Sequence, residues 1–286
     1  MFFSTVDKVP AKTIQQKLQD NPPEINKIKN IIAIASGREG VGKSTITVNI
    51  AVILAQMSLK VGLLDADLRN SKISLSLGLK DVDTKVAPKG QGNLWEPVSN
   101  FGVKLFTLPS LSNQDPLDDW CEDWCDHWLN QTIKPVLEQV AWGDLDYLIV
   151  NFPPGIGDIQ SKLAQVLPLY GVVMIATAQQ EVQSATIQTW NMFEQLKVPL
   201  IGLVENKSSL AKINRSWRKY KFTSDDQSAS TKRVPCLGYI PLDPNVPKYS
   251  DRLPIVLAEP LSVFTGAMNT IAWAIASQIT ISALKS

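Results

Sequence analysis

Six short apolar runs, separated for the most part by stretches with helical spacing, constrain this chain more than any other feature. They occupy residues 30–35, 61–65, 103–108, 147–150, 171–177 and 200–204. Continuous rather than alternating apolar strands must be covered on both faces, which predicts a doubly wound α/β fold with a mostly parallel sheet. Between the first run and a helix expected over 44–59 lies Gly37-Arg38-Glu39-Gly40-Val41-Gly42-Lys43-Ser44-Thr45, which fits GxxxxGKS/T. The strand-to-helix setting is the one in which that spacing has chemical meaning. Gly37, Gly40, Val41 and Gly42 can turn their N–H groups inward around phosphate oxygens, and the helix N-terminus adds positive potential. Lys43 then reaches the β- and γ-phosphates, the Ser44 hydroxyl suits Mg²⁺, and Thr45 supports the α-phosphate side.

Composition narrows the remaining choices. With 44% hydrophobic and 19% charged residues the 286-residue chain can bury a large core, which excludes disorder and fibrous classes. Net charge is +1, so whole-chain electrostatics points to no nucleic-acid partner, and no nucleic-acid motif is visible. Three cysteines make no disulfide framework and the start shows no signal-peptide pattern, so a cytoplasmic setting is expected. Residues 260–284 carry no charge, but the interspersed polar residues favour a helix packed on the sheet over an integral membrane segment.

One domain is expected over 30–286, preceded by a flexible leader over 1–29 with Pro10, Pro22 and Pro23. Within that domain, 207–233 forms an insert with eight basic residues against Asp225 and Asp226, interleaved with Trp217, Tyr220 and Phe222. Such a mixture suits an anionic or protein partner. Residues 115–126 are acidic and hold Cys121 and Cys125, spaced i, i+4 near His127. Trp120, Trp124 and Trp128 share that spacing, so packed thiols in an aromatic stripe are favoured over a metal site.

Further motifs carry a family resemblance. They are Leu64-Asp65-Ala66-Asp67, the segment from Trp142 through Asp146-Tyr147 to Pro153-Pro154-Gly155-Ile156-Gly157-Asp158, Glu205-Asn206-Lys207-Ser208, and Val234 through Gly238 to Pro241-Leu242-Asp243-Pro244. Together with the loop, over about residues 30–283, they resemble the deviant-Walker P-loop ATPases that include MinD, ParA and the nitrogenase iron protein. Within that group they look most like the Mrp (ApbC-like) branch of iron–sulfur cluster carriers. The resemblance implies an ATP- and Mg²⁺-binding homodimer whose hydrolysis is coupled to rearrangement. It also implies that Asp67 orients the attacking water and that Asp65 and Asn151 serve the metal with Ser44. Asn206 would read the adenine edge, with Pro241 to Asp243 closing over the base.

Four departures temper that inheritance. Arg38 stands where the family has the lysine that crosses to the partner, keeping the charge in a planar form. Glu39 replaces a glycine and is expected to point away from the triphosphate. Asn151 replaces the aspartate ending the third motif strand and Ile156 replaces a threonine, so weak hydrolysis is expected. The family CxxC after the Asn206 motif is missing, which leaves an iron–sulfur cluster without its usual thiolates. A rival reading is therefore a nucleotide-dependent, largely non-hydrolysing interaction switch. A MinD-like membrane-associated ATPase lacks its basic amphipathic end here, and a bacterial tyrosine kinase lacks its tyrosine-rich tail.

Overall fold

The computed structural model describes residues 25–67, 72–79, 95–108, 140–155, 157–177, 180–208, 221–222, 232–233 and 235–283. Expectations for the leader up to residue 24, for Ile156, for Cys121, Cys125 and His127, and for most of the 207–233 insert fall outside them. The described strands are β1 (Ile28–Ser36), β2 (Val61–Asp65), β3 (Val98–Asn100), β4 (Val103–Thr107), β5 (Leu145–Asn151), β6 (Gly171–Thr177), β7 (Leu200–Ser208), β8 (Lys221–Phe222), β9 (Lys232–Arg233) and β10 (Cys236–Pro241). The helices are α1 (Lys43–Gln56), α2 (Ile73–Ser76), α3 (Asp158–Val166), α4 (Gln180–Gln195), α5 (Val246–Tyr249), α6 (Ile255–Ala258) and α7 (Val263–Ala283).

Eight strands make one sheet in the order β10-β7-β6-β1-β5-β2-β4-β3, parallel except for the β3–β4 pair at one edge. Strands β2 and β6 are buried at every position, as coverage on both faces requires. From β1 the chain crosses through α1 towards β2, whereas β5 and β6 cross the opposite way through α3 and α4. Right-handed crossovers in opposite directions put α1 on one face and α3 with α4 on the other. The reversal opens a crevice at the carboxyl ends of β1, β5 and β6, where α/β sheets bind ligands.

Helix α1 is buried nearly all round because α7 lies over it. Helix α7 presents Phe264, Met268, Ile271, Ala272, Ile275 and Ile279, a stripe at helical spacing, and packs on β10 and α1. Among the described residues no helix is long and apolar enough to cross a membrane, in line with the sheet-packed helix expected for 260–284.

The boundaries differ where backbone pairing outlasts the apolar pattern. Strand β7 continues past Val204 through Glu205, Asn206, Lys207 and Ser208 because β6 and β10 flank it on both sides. Strand β1 starts at Ile28 rather than residue 30 because Ile28 already pairs with Leu145. The three-residue edge strand β3 is too short to show any period in sequence. Cys236 is only half-buried at the start of β10. Burial still pushes its thiol pKa up, the largest influence on it.

Candidate functional site

The bend between β1 and α1 is shaped by its glycines. Gly42 caps α1 at φ 90°, in the left-handed region that suits glycine. A Cβ there would also lie 2.3 Å from Asn206 Nδ2. Gly37 meets a different demand: its Cβ would fall 2.4 Å from the backbone carbon of Ala185, so α4 rests directly on the loop. The segment after β5 is tied to the same place. Gly155 N–H donates to Ser36 O at 2.8 Å, and Gln160 Nε2 donates to Pro154 O at 2.6 Å.

Lys43 opens α1 and is only 5% exposed. An ammonium so far from water needs partners. Its Nζ donates to Asn151 Oδ1 at 2.8 Å and to Asp67 Oδ2 at 3.1 Å. Asn151 uses its other end as well, with Nδ2 donating to Asp65 Oδ1 at 2.9 Å. Asp65 Oδ1 also accepts the Asp67 backbone N–H at 3.1 Å. A carboxylate at 151 could satisfy the lysine but would then face Asp65 with like charge. An amide serves both neighbours. Thr47, one turn after Lys43, donates to Lys43 O at 2.9 Å and reaches Asn151 Oδ1 at 3.4 Å.

Four sequence-expected residues, Lys43, Asp65, Asp67 and Asn151, thus meet in one buried cluster at the ends of β2 and β5. Ser44 and Thr45 follow on the first turn of α1, partly exposed. Arg38 and Glu39 lie exposed on the rim, so the Glu39 side chain has water to turn to, as its charge requires. On the opposite side of the loop, Asn206 Nδ2 donates to Val41 O at 2.8 Å and its Oδ1 accepts the Lys207 N–H at 2.9 Å. Each amide end keeps one further hydrogen-bonding position, enough for a base edge. Pro241 pairs with Ser208 across β10 and β7, which sets it two residues along from Asn206.

The chemistry of this donor set suits Mg²⁺. Hard oxygens prevail, and Asp67 Oδ1 is buried with no hydrogen-bond partner, an acceptor waiting for water or a cation. Among the described residues no group of three or more His, Cys, Asp or Glu is arranged to hold a metal on its own. Magnesium held partly by substrate phosphates needs no such cage.

Two contributors escaped the sequence reading. Thr47 was findable, since i+4 from Lys43 puts it on the same helix face. Lys207, whose Nζ donates to Gly40 O at 2.8 Å, was read as part of the Glu205–Ser208 motif and as one charge of the basic insert, with no role towards the loop.

A mostly parallel sheet with a glycine loop, a buried lysine at the helix start and two aspartates at the carboxyl end of β2 defines a P-loop NTPase of the MinD/ParA architecture. The family model described as ParA, NUBPL iron-transfer P-loop NTPase, matches residues 27–276. This chain belongs to that family, on its Mrp branch. It is 38% identical over 281 residues to an iron-sulfur cluster carrier protein from Synechocystis, covering 97% of this chain and 78% of that one. Among solved structures it resembles a nucleotide-binding protein in complex with ADP from Archaeoglobus fulgidus, with 30% identity, a TM-score of 0.59, and coverage of 84% and 90%. The MinC:MinD cell division complex of Aquifex aeolicus is similar in fold, with a TM-score of 0.62 at 21% identity, covering 87% and 96%. The chain is an Mrp-like nucleotide-binding protein.

Proposed function

We propose that this protein binds ATP with Mg²⁺ at the β1–α1 loop, hydrolyses it slowly, and works as a homodimer in iron–sulfur cluster assembly or delivery. The observation that carries the nucleotide part is the buried Lys43 ammonium, held by Asp67 and Asn151. Phosphate oxygens arriving in the loop would take over the lysine, since a triphosphate carries more negative charge than the single Asp67 carboxylate and the neutral Asn151 amide. Asp67 would then be released to orient water. Ser44, Asp65 and Asn151 would serve Mg²⁺, which when bound neutralises phosphate charge. Gly37, Gly40, Val41, Gly42 and Thr45 would cradle the phosphates, Asn206 and Pro241 the base, and Arg38 the partner subunit's nucleotide.

Slow hydrolysis follows from Asn151, which brings hydrogen bonds without the negative charge of an aspartate. Turnover of the purified chain should rise several-fold in Asn151→Asp with ATP affinity little changed. A native rate already typical of efficient family members, and flat on that substitution, would refute it.

The cluster part is supported by the carrier relatives and by nothing in the thiols. One observation favours a second reading, a nucleotide-dependent switch that grips a partner through 207–233: after Asn206 the sequence has no Cys until Cys236. Anaerobic reconstitution with iron and sulfide separates the two. A bound cluster gives visible-range absorbance, and tight ATP binding without it leaves the switch.

A further inference from the structure

Lys207 sits where β7 turns left-handed, at φ 56°, a conformation uncommon for a residue with a long side chain. The turn directs its ammonium back across the loop, where Nζ donates to Gly40 O at 2.8 Å. One residue earlier, Asn206 Nδ2 takes Val41 O, and Asn206 Oδ1 holds the Lys207 N–H. Two consecutive side chains of β7 therefore hold two consecutive carbonyls of the glycine loop. In such a loop the N–H groups face the anion, so whatever anchors the carbonyls sets the direction of the amides. Gly40 and Gly42, both at positive φ, have the backbone freedom that makes an unanchored loop costly to order on binding.

We infer that Lys207 is a positioning residue that pre-orders the phosphate loop through the Gly40 carbonyl. With Asn206 it links the base end of the site to the phosphate end. This deepens the nucleotide reading above and rests on it. Lys207 need not touch nucleotide to act. Its side chain is exposed and the tether crosses to a neutral carbonyl, so its effect is on loop order rather than on overall stability.

The test is calorimetry on the full chain with MgATP and, separately, with inorganic tripolyphosphate, which has no base. Lys207→Met keeps the length of the stem and removes the donor. It should weaken both ligands alike, by about fivefold, as loss of one charge-assisted hydrogen bond allows. Lys207→Arg should restore most of the affinity. Lys207→Gly removes the donor while relieving the left-handed backbone, so it should bind as weakly as Lys207→Met with no loss of thermal stability. Binding of both ligands by Lys207→Met within about twofold of native would overturn the inference. So would a loss confined to ATP, which would place the effect at the base through Asn206. A native chain that ignores both ligands would sink the nucleotide reading itself, and this inference with it.

Discussion

The two ends of the β5 strand use similar residues to opposite effect. At its carboxyl end Lys43, Asp65, Asp67 and Asn151 are all buried and bonded to one another in one cluster. At its amino end Asp146 accepts from Lys29 Nζ at 2.8 Å and from the Lys60 backbone N–H at 2.8 Å, with the Lys29 side chain 72% exposed. The outer group is screened by solvent and stabilises little. The inner one leaves a lysine and a carboxylate that would be costly to strand, so it persists only with its partners or with a ligand that replaces them. The two groups differ in burial at the edges of the sheet rather than in the kind of residue.

The largest expected effect that would sharpen this contrast is in the core beneath the inner cluster. Phe152, directly after Asn151, is fully buried and packs against Phe193 with ring centroids 5.9 Å apart. Phe152→Ala should cost about 3–5 kcal/mol in denaturant unfolding, by transfer and cavity terms together. Less than about 1 kcal/mol would mean that the inner end is not close-packed.

Next comes Asn151→Asp measured without Mg²⁺. The new carboxylate would stand beside Asp65 with like charge, at a cost of about 2–3 kcal/mol at neutral pH. Its folded-state pKa, or that of Asp65, would rise above the unfolded value. Stability would then be retained in acid and lost as pH increases through the raised value, with Mg²⁺ restoring it. Melting curves that match the native chain across that range would show that Asn151 does not bridge as the hydrogen bonds indicate.

The outer end gives the smallest effect and the opposite sign. The hydrogen bond from Lys29, then that from the Lys60 N–H, hold the Asp146 pKa below the usual carboxylate range. Its contribution is therefore present above about pH 4 and lost as pH falls through the depressed value. Asp146→Asn should lower the Tm by about 1–2 °C at pH 7, with the gap closing below pH 4. A gap that widens in acid would contradict the assignment.

How much of this was legible depended on whether the signal was local. The glycine loop, Lys43, and Asp65 with Asp67 could be read directly, because motif spacing and an apolar strand end place them without reference to the rest of the chain. The parallel sheet was legible for the same reason, as continuous apolar runs need cover on both sides. What Asn151 does was half legible. The replacement of an aspartate was plain, but the amide's donation to Asp65 depends on β2 and β5 pairing Asp65 with Asn151 in register. The contact from Lys207 to the loop was invisible because its partner, Gly40, lies 167 residues away in sequence. The polar end of β7 was hidden too, since flanking strands hold it extended without help from an apolar pattern.

Isothermal calorimetry with Mg²⁺ measures whether the β1–α1 loop and Lys43 hold the phosphates of ATP. Native protein should bind ATP and ADP with one site per chain. Lys43→Ala should lose at least about a hundredfold in affinity, the scale for removing a buried charge-assisted contact to phosphate. No heat from the native chain with either nucleotide, or equal binding by Lys43→Ala, would contradict it.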